Sequence, residues 1–255
     1  MKTWLVLFRK EWLEMIRNYK VIWIPLAFVL FGLLQPITSY YMPEILKNAG
    51  NLPNGAVIKI PIPLSGEVLA QTLGQYNQMG ILVLVLAFMG IIASERKSGM
   101  TKAILVKPVG YSSYITAKWT SAVLLSAGAI FLSMAASWYY TVLLIGDFPF
   151  MNVVKGASIF FIWILFLITL TVFFSSFLKS SGLVAAFTLL LSILVTLLTS
   201  LLGKWMEWSP YQLTNAAATL FTAGRIEGPF LLPLITTVIL TVLLLSLAAT
   251  RKSNS

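Results

Sequence analysis

Six long apolar stretches alternate with short polar segments along the chain, at about 21–41, 69–94, 115–145, 153–178, 183–202 and 229–249. A helix needs about 20 apolar residues to cross a hydrocarbon core of about 30 Å. The pattern therefore predicts an all-α, polytopic membrane protein with six transmembrane helices. The second stretch is the least regular. Its strongly apolar part, 79–93, is short, so its helix is expected to start earlier and to include Gln71, Thr72, Gln75, Asn77 and Gln78. In the third stretch, Trp119 near one end and Trp138, Tyr139 and Tyr140 near the other suit two membrane interfaces. Ser126, Ala129, Ser133 and Ala136 form a small-residue stripe that favours close helix packing.

The segments between these stretches carry their own signals. At helical periodicity, Trp4, Leu5, Phe8, Trp12, Met15, Ile16 and Tyr19 fall within one arc of about 120°. Lys2, Arg9, Lys10, Glu14, Arg17 and Lys20 lie outside it. A basic face opposite an aromatic one predicts an amphipathic helix over 1–20, lying at the membrane interface. Pro25 and Pro36 are expected to bend the ends of the first span. Residues 43–68 contain Pro43, Pro53, Pro61 and Pro63 and are expected to form an outer loop without a long helix. Between spans five and six, residues 203–228 are too apolar for a free loop. Ser209-Pro210 can open a helix and Gly224 can close one, so 210–222 is predicted as a short helix at the outer interface or re-entering the membrane. Residues 1–255 thus read as a single transmembrane domain.

Charge orients the spans. The chain is 58% hydrophobic and only 10% charged, against about 25% charged for a soluble domain. With both termini on the cytoplasmic side, the cytoplasmic segments and helix ends hold thirteen of the eighteen Lys and Arg and three of the eight acids. The outer segments hold five of each, so the net charge of +10 falls on one side. This is the positive-inside pattern of a multi-pass protein of the cell (inner, cytoplasmic) membrane. Anionic headgroups, rather than nucleic acid, account for the basic balance. Charges continue through Arg17 and Lys20 before the first apolar run, and no small-x-small site follows. The first span is therefore expected to be retained rather than cleaved as a signal.

The inventory of reactive groups is small. There is no Cys and no His, which removes thiol chemistry, the commonest general base and the commonest metal ligand. No G-x-x-x-x-G-K-[ST] loop occurs, so the chain is not expected to hydrolyse ATP or to be an enzyme. No catalytic, cofactor-binding or metal residues are assigned. No charged residue lies near the centre of any predicted span, which disfavours an ion- or proton-coupled carrier. Gln71, Gln75 and Gln78 recur at i, i+4 and i+7 and would share a helical face. That face is a candidate lining of a polar pathway, or else a helix end at headgroup level.

The segment 95–114, between spans two and three, is the most specific. It contains Glu95, Gly99-Met100-Thr101, the short apolar run Ile104-Leu105-Val106, then Pro108, with Lys118 opening the next span. Together with the N-terminal helix beginning Phe8-Arg9-Lys10-Glu11-Trp12 and the Ser209-Pro210-Tyr211 segment, this resembles the type-two ABC exporter permeases over the whole chain. The resemblance implies that Glu95, Gly99, Thr101, Ile104, Leu105 and Pro108 belong to a coupling helix seated in a groove of an ATP-binding cassette subunit. Two copies of that subunit, which hold the ATP and Mg, would serve two permease chains, identical or homologous. It also implies an interfacial elbow helix over 1–20 and a re-entrant element over 203–228. Met100 is a departure, because the family often has Gly and Thr adjacent. The uncharged spans suit an amphipathic or apolar cargo. The competing class is a non-transport membrane protein, an assembly, signalling or immunity factor, which needs spans and basic anchors but no apolar helix in this loop.

Overall fold

A computed structural model describes residues 2–49, 63–99 and 110–250. Among these residues the structure is helical: α1 Lys2–Arg17, α2 Lys20–Ala49, α3 Ser65–Gln75, α4 Ile81–Phe88, α5 Ala93–Lys97, α6 Tyr111–Leu144, α7 Phe150–Phe177, α8 Ser181–Leu202, α9 Gln212–Ala223 and α10 Leu231–Thr250. Six helical units are long and apolar enough to cross a membrane: α2, the composite α3–α5, α6, α7, α8 and α10. The protein is an all-α polytopic membrane protein.

The centre of the bundle is α7. Phe160, Trp163, Ile164 and Val172 are fully enclosed, and the Trp163 indole donates to Asn77 Oδ1 at 2.9 Å. Helices α2 and α6 cross at close range. A Cβ on Gly32 would come within 2.6 Å of Ser133 Oγ and 2.7 Å of its carbonyl, so only glycine allows this approach. Ser133 donates to the Phe28 carbonyl and also pairs with the Tyr76 hydroxyl, joining α2, α6 and the second span. Of the small-residue stripe, Ser126, Ala129 and Ser133 are buried and Ala136 is half-buried. Close backbone approach is what small side chains permit inside lipid.

Two boundaries differ from the sequence reading. Helix α2 runs through Pro43 to Ala49, where the proline content argued for a loop. A proline deletes one i→i−4 bond of the helix, and neighbouring groups in a membrane bundle make such losses tolerable. The second span begins at Ser65, not near 69. Glu67 accepts the Leu64 N–H at 3.1 Å and Ser65 Oγ donates to the Gly146 carbonyl at 2.8 Å, which anchors this start.

Helix α9 matches the 210–222 expectation closely and ends at Gly224, which is left-handed at φ +71°. It packs against α7 and α3. Its Leu213, Ala217, Leu220 and Phe221 are buried, and Tyr211 meets Trp163 edge-to-face. Helix α1 packs along α6, with the Trp4 indole donating to Thr116 Oγ1 at 3.1 Å. Tyr19, at φ 55°, makes the corner into α2. The side of α1 that meets protein is centred on Glu11 and Met15. Leu5, Ile16 and Tyr19, from the apolar arc, are exposed together with Val6 and Leu13.

Candidate functional site: a charged junction at the broken second span

The second span is interrupted twice. Residues Tyr76–Gly80 form a π-helical turn, and the backbone leaves helix again between Phe88 and Ala93. At the second break, Ile91 N–H turns to the Phe88 carbonyl, which leaves the Ala87 carbonyl without its helical donor. Lys20 Nζ supplies one at 2.7 Å and lies 5.7 Å from the centre of the Phe88 ring. A cation at a helix C-terminus is favoured by the free carbonyls there. From α7, Ser175 Oγ accepts the Ile92 and Ala93 N–H groups at 3.1 and 3.0 Å and donates to the Met89 carbonyl at 3.2 Å. One donor and two acceptors are all that a hydroxyl offers. Ser175 is thus wholly committed to the break, which satisfies backbone groups that lipid cannot.

Immediately beyond the break, a dense ionic network forms. Lys118 Nζ contacts Glu11 Oε2 at 2.8 Å and Glu95 Oε2 at 3.1 Å. Lys10 Nζ contacts Glu11 at 3.0 Å, Glu14 at 3.1 Å and Glu95 at 2.5 Å. The Tyr114 hydroxyl donates to Glu95 Oε2. The side chains of Lys118, Glu11 and Glu95 are 2%, 5% and 6% exposed. Charges so enclosed carry a large desolvation cost, which only close pairing and hydrogen bonding offset. Burial alone would lower the pKa of Lys10. The Glu95 hydrogen bond and the Glu11 charge reverse this and hold it above its ordinary 10.5. Its stabilising contribution is therefore complete below pH 10.5 and is lost only as pH rises through the higher folded value.

The three glutamates bring carboxylate oxygens within 4.8 Å of one another, close enough to hold a metal ion. Lys10 Nζ contacts all three, so an ammonium already occupies that position. With Lys118, and with Lys20 close enough to act on the Glu11 and Glu14 charges, three lysines face three glutamates and the junction is neutral. A pocket of about 140 Å³ opens beside it, between Glu14, Met15 and Asn18 on one side and Gly90, Ile91 and Ser94 on the other.

Glu95 is therefore turned inward, where it ties α5 to α1 and α6. Arg96 extends the tie by donating to the Ser176 carbonyl at the end of α7. Gly99, at φ +76°, gives the chain a left-handed exit from α5 that a side chain would strain. Thr101, Ile104, Leu105 and Pro108 lie outside the described residues. The three glutamines have different surroundings. Gln71 meets Gln35 of α2, at 3.3 Å. Gln75 Oε1 is buried with no hydrogen-bond partner among the described residues. Gln78 joins Asn77, Ser192 and Thr196 in a groove of about 330 Å³ between the second span and α8. The π-turn between Gln75 and Gln78 breaks the 3.6-residue register on which a shared face depends.

Sequence reasoning passed over Glu11, Tyr114, Lys118 and Ser175 as a set. One signal was available. Only three acids lie on the basic side, and all three are Glu11, Glu14 and Glu95. Glu11 also sits at the edge of the apolar arc of α1, beside Trp4 and Met15, where an acid has no place unless it is paired.

No protein-family model matches the chain. Over 225 residues it is 33% identical to the uncharacterized transmembrane protein YxlG of Bacillus subtilis (strain 168), a match that spans 88% of this chain and 87% of that protein. Similarity of this extent and length shows that the chain, with its six helices suited to crossing a membrane, belongs to the same family of transmembrane proteins as YxlG.

Proposed function

We propose that the chain is the permease subunit of an ATP-driven exporter of the type-two ABC class. The observation that carries this reading is the clamping of the 98–110 segment at both of its ends. Glu95 precedes the segment and Tyr114 and Lys118 follow it; Glu95 and Lys118 pair with Lys10 and Glu11 of α1, and the Tyr114 hydroxyl donates to Glu95. A plain connector has no use for buried charges on both flanks, whereas a segment that must transmit force from a partner does. Glu95 acts here by positioning the segment, and Ile104, Leu105 and Pro108 supply the apolar contacts with the partner. The element order supports the same reading: α1 before the first span, the segment after the second, and α9 between the fifth and sixth.

In this reading the α1 side is cytoplasmic, as the basic residues indicate. The exposed Leu5, Val6, Leu13 and Ile16 of α1 rest in the interface. Helix α9 is the outer re-entrant element, and the groove at Gln78 belongs to the route of an amphipathic or apolar cargo. Two permease chains form the route. Two ATP-binding subunits, which hold ATP and Mg, drive its alternation between inward and outward packings.

Isolated from its native membrane in mild detergent, the chain is expected to bring with it an ATP-binding protein bearing the G-x-x-x-x-G-K-[ST] loop. Leu105→Asp places a charge in an apolar groove, at a cost of about 2 kcal/mol or more. It should release that protein while the chain stays inserted. Recovery of the wild-type chain without such a protein, or its full retention by Leu105→Asp, counts against the proposal.

A further inference from the structure

The second span is held in different ways above and below the break. Above the break, α4 is packed in the core through Leu84, Val85 and Phe88. Below it, α5 is bound by Glu95 to Lys10 of α1 and to Lys118 and Tyr114 of α6, and by Arg96 to the Ser176 carbonyl at the end of α7. Between them, the backbone of Met89–Ile92 is tied to α7 by one hydroxyl, that of Ser175, while Ser94 Oγ donates to the Gly90 carbonyl from within the same span. Gly90 lies in this bridge, and the 140 Å³ pocket adjoins Gly90 and Ile91, leaving space on the α1 side into which the backbone can swing.

We infer that Met89–Ile92 is a hinge pinned by Ser175, and that Glu95 makes α5 move with α1 and the start of α6 as one body, independently of α4. The hinge is a property of this chain alone, and it stands whether or not an ATP-binding subunit docks below it. Ser175 and Glu95 are positioning residues. Ser175 holds the resting angle by satisfying three backbone groups at once, and its loss leaves two enclosed N–H groups without an acceptor. Gly90 supplies the backbone freedom. A Cβ there would meet Ser181 Oγ at 3.3 Å and Ser94 Oγ at 3.5 Å, which small side-chain adjustments accommodate. Gly90→Ala therefore stiffens the segment without a backbone clash.

The absence of native Cys makes site-directed spin labelling direct. One pair of labels, at positions 82 and 97, spans the hinge over about 22 Å of helix. A second pair, at 3 and 97, reports α1 against α5. The full chain is measured in lipid nanodiscs by pulsed electron paramagnetic resonance. In Ser175→Ala the 82–97 distance distribution should broaden at least twofold while the 3–97 distribution keeps its wild-type width. In Glu95→Gln the 3–97 distribution should broaden instead. In Gly90→Ala the 82–97 distribution should narrow. If Ser175→Ala does not fold, the Gly90→Ala and Glu95→Gln results decide. An unchanged 82–97 width in Ser175→Ala and Gly90→Ala, or equal broadening of both pairs in either hydrogen-bond variant, overturns the inference.

Discussion

Replacing Lys118 by methionine is expected to be among the most damaging single changes in this protein. Lys118 Nζ is the enclosed cation of the junction, shared by Glu11 and Glu95 at 2.8 and 3.1 Å. Methionine fills much of the same volume but carries no charge. The two carboxylates, each nearly inaccessible to water, are then left to Lys10, whose side chain is 35% exposed and already serves Glu14. Removing one partner of a buried pair costs about 3–5 kcal/mol, more than the pair contributes when intact, because the remaining charge is uncompensated. For a chain of this size, that loss lowers the melting temperature by on the order of 10 °C. Tryptophan fluorescence of the purified protein during heating measures it. The triple change Lys118→Met, Glu11→Gln and Glu95→Gln removes the stranded charges and should recover most of the loss. If the single and triple variants melt alike, the damage comes from packing and the ionic explanation is wrong.

Gly66→Ala should have the second large effect, at the opposite end of the bundle. A Cβ on Gly66 would lie 2.0 Å from the Phe221 carbonyl oxygen and 2.9 Å from its carbon. Those atoms are backbone, so no side-chain rotation relieves the clash, and α9 must move off α3. The displacement also withdraws Phe221 from its seat on Gly156, where an added Cβ would come within 2.2 Å of the ring. Overpacking of this kind costs about 1–3 kcal/mol and is occasionally worse. The effect should be local. A cysteine at position 220, where leucine is 6% exposed, should react slowly with a polar maleimide in the wild-type background. In Gly66→Ala it should react at least tenfold faster. Equal rates would mean that α9 does not depend on this contact.

Much of the architecture was legible because a lipid-facing helix must be apolar along its whole length. The six spans, α1 and α9 all follow from hydropathy, periodicity and a terminal glycine. What escaped the sequence are events decided by partners distant in the chain. Helix α2 passes Pro43 although local propensity argues against it. The break at Met89–Ile92 follows no proline and depends on Ser175, more than eighty positions away. The π-turn at Tyr76–Gly80 carries no composition signal, and it shifts Gln78 out of the α-helical register that Gln71 and Gln75 share. The junction had a clue in the scarcity of acids on the basic side. Yet nothing in the spacing of positions 11, 14, 95 and 118 says that they meet. Glu95 was singled out for docking and is instead enclosed, a distinction that only its neighbours could make.

The exporter reading requires ATP to change the exposure of the groove between the second span and α8. A single cysteine at position 78, in the otherwise Cys-free chain, measures this directly when the chain is reconstituted in vesicles with the ATP-binding subunit proposed for it. The rate of modification by a membrane-impermeant maleimide should change severalfold when ATP is added and vanadate traps the nucleotide. This response should be lost when the partner carries a substituted P-loop lysine. A rate that is the same with and without nucleotide, in vesicles where the partner hydrolyses ATP, would rule out coupling of the groove to ATP.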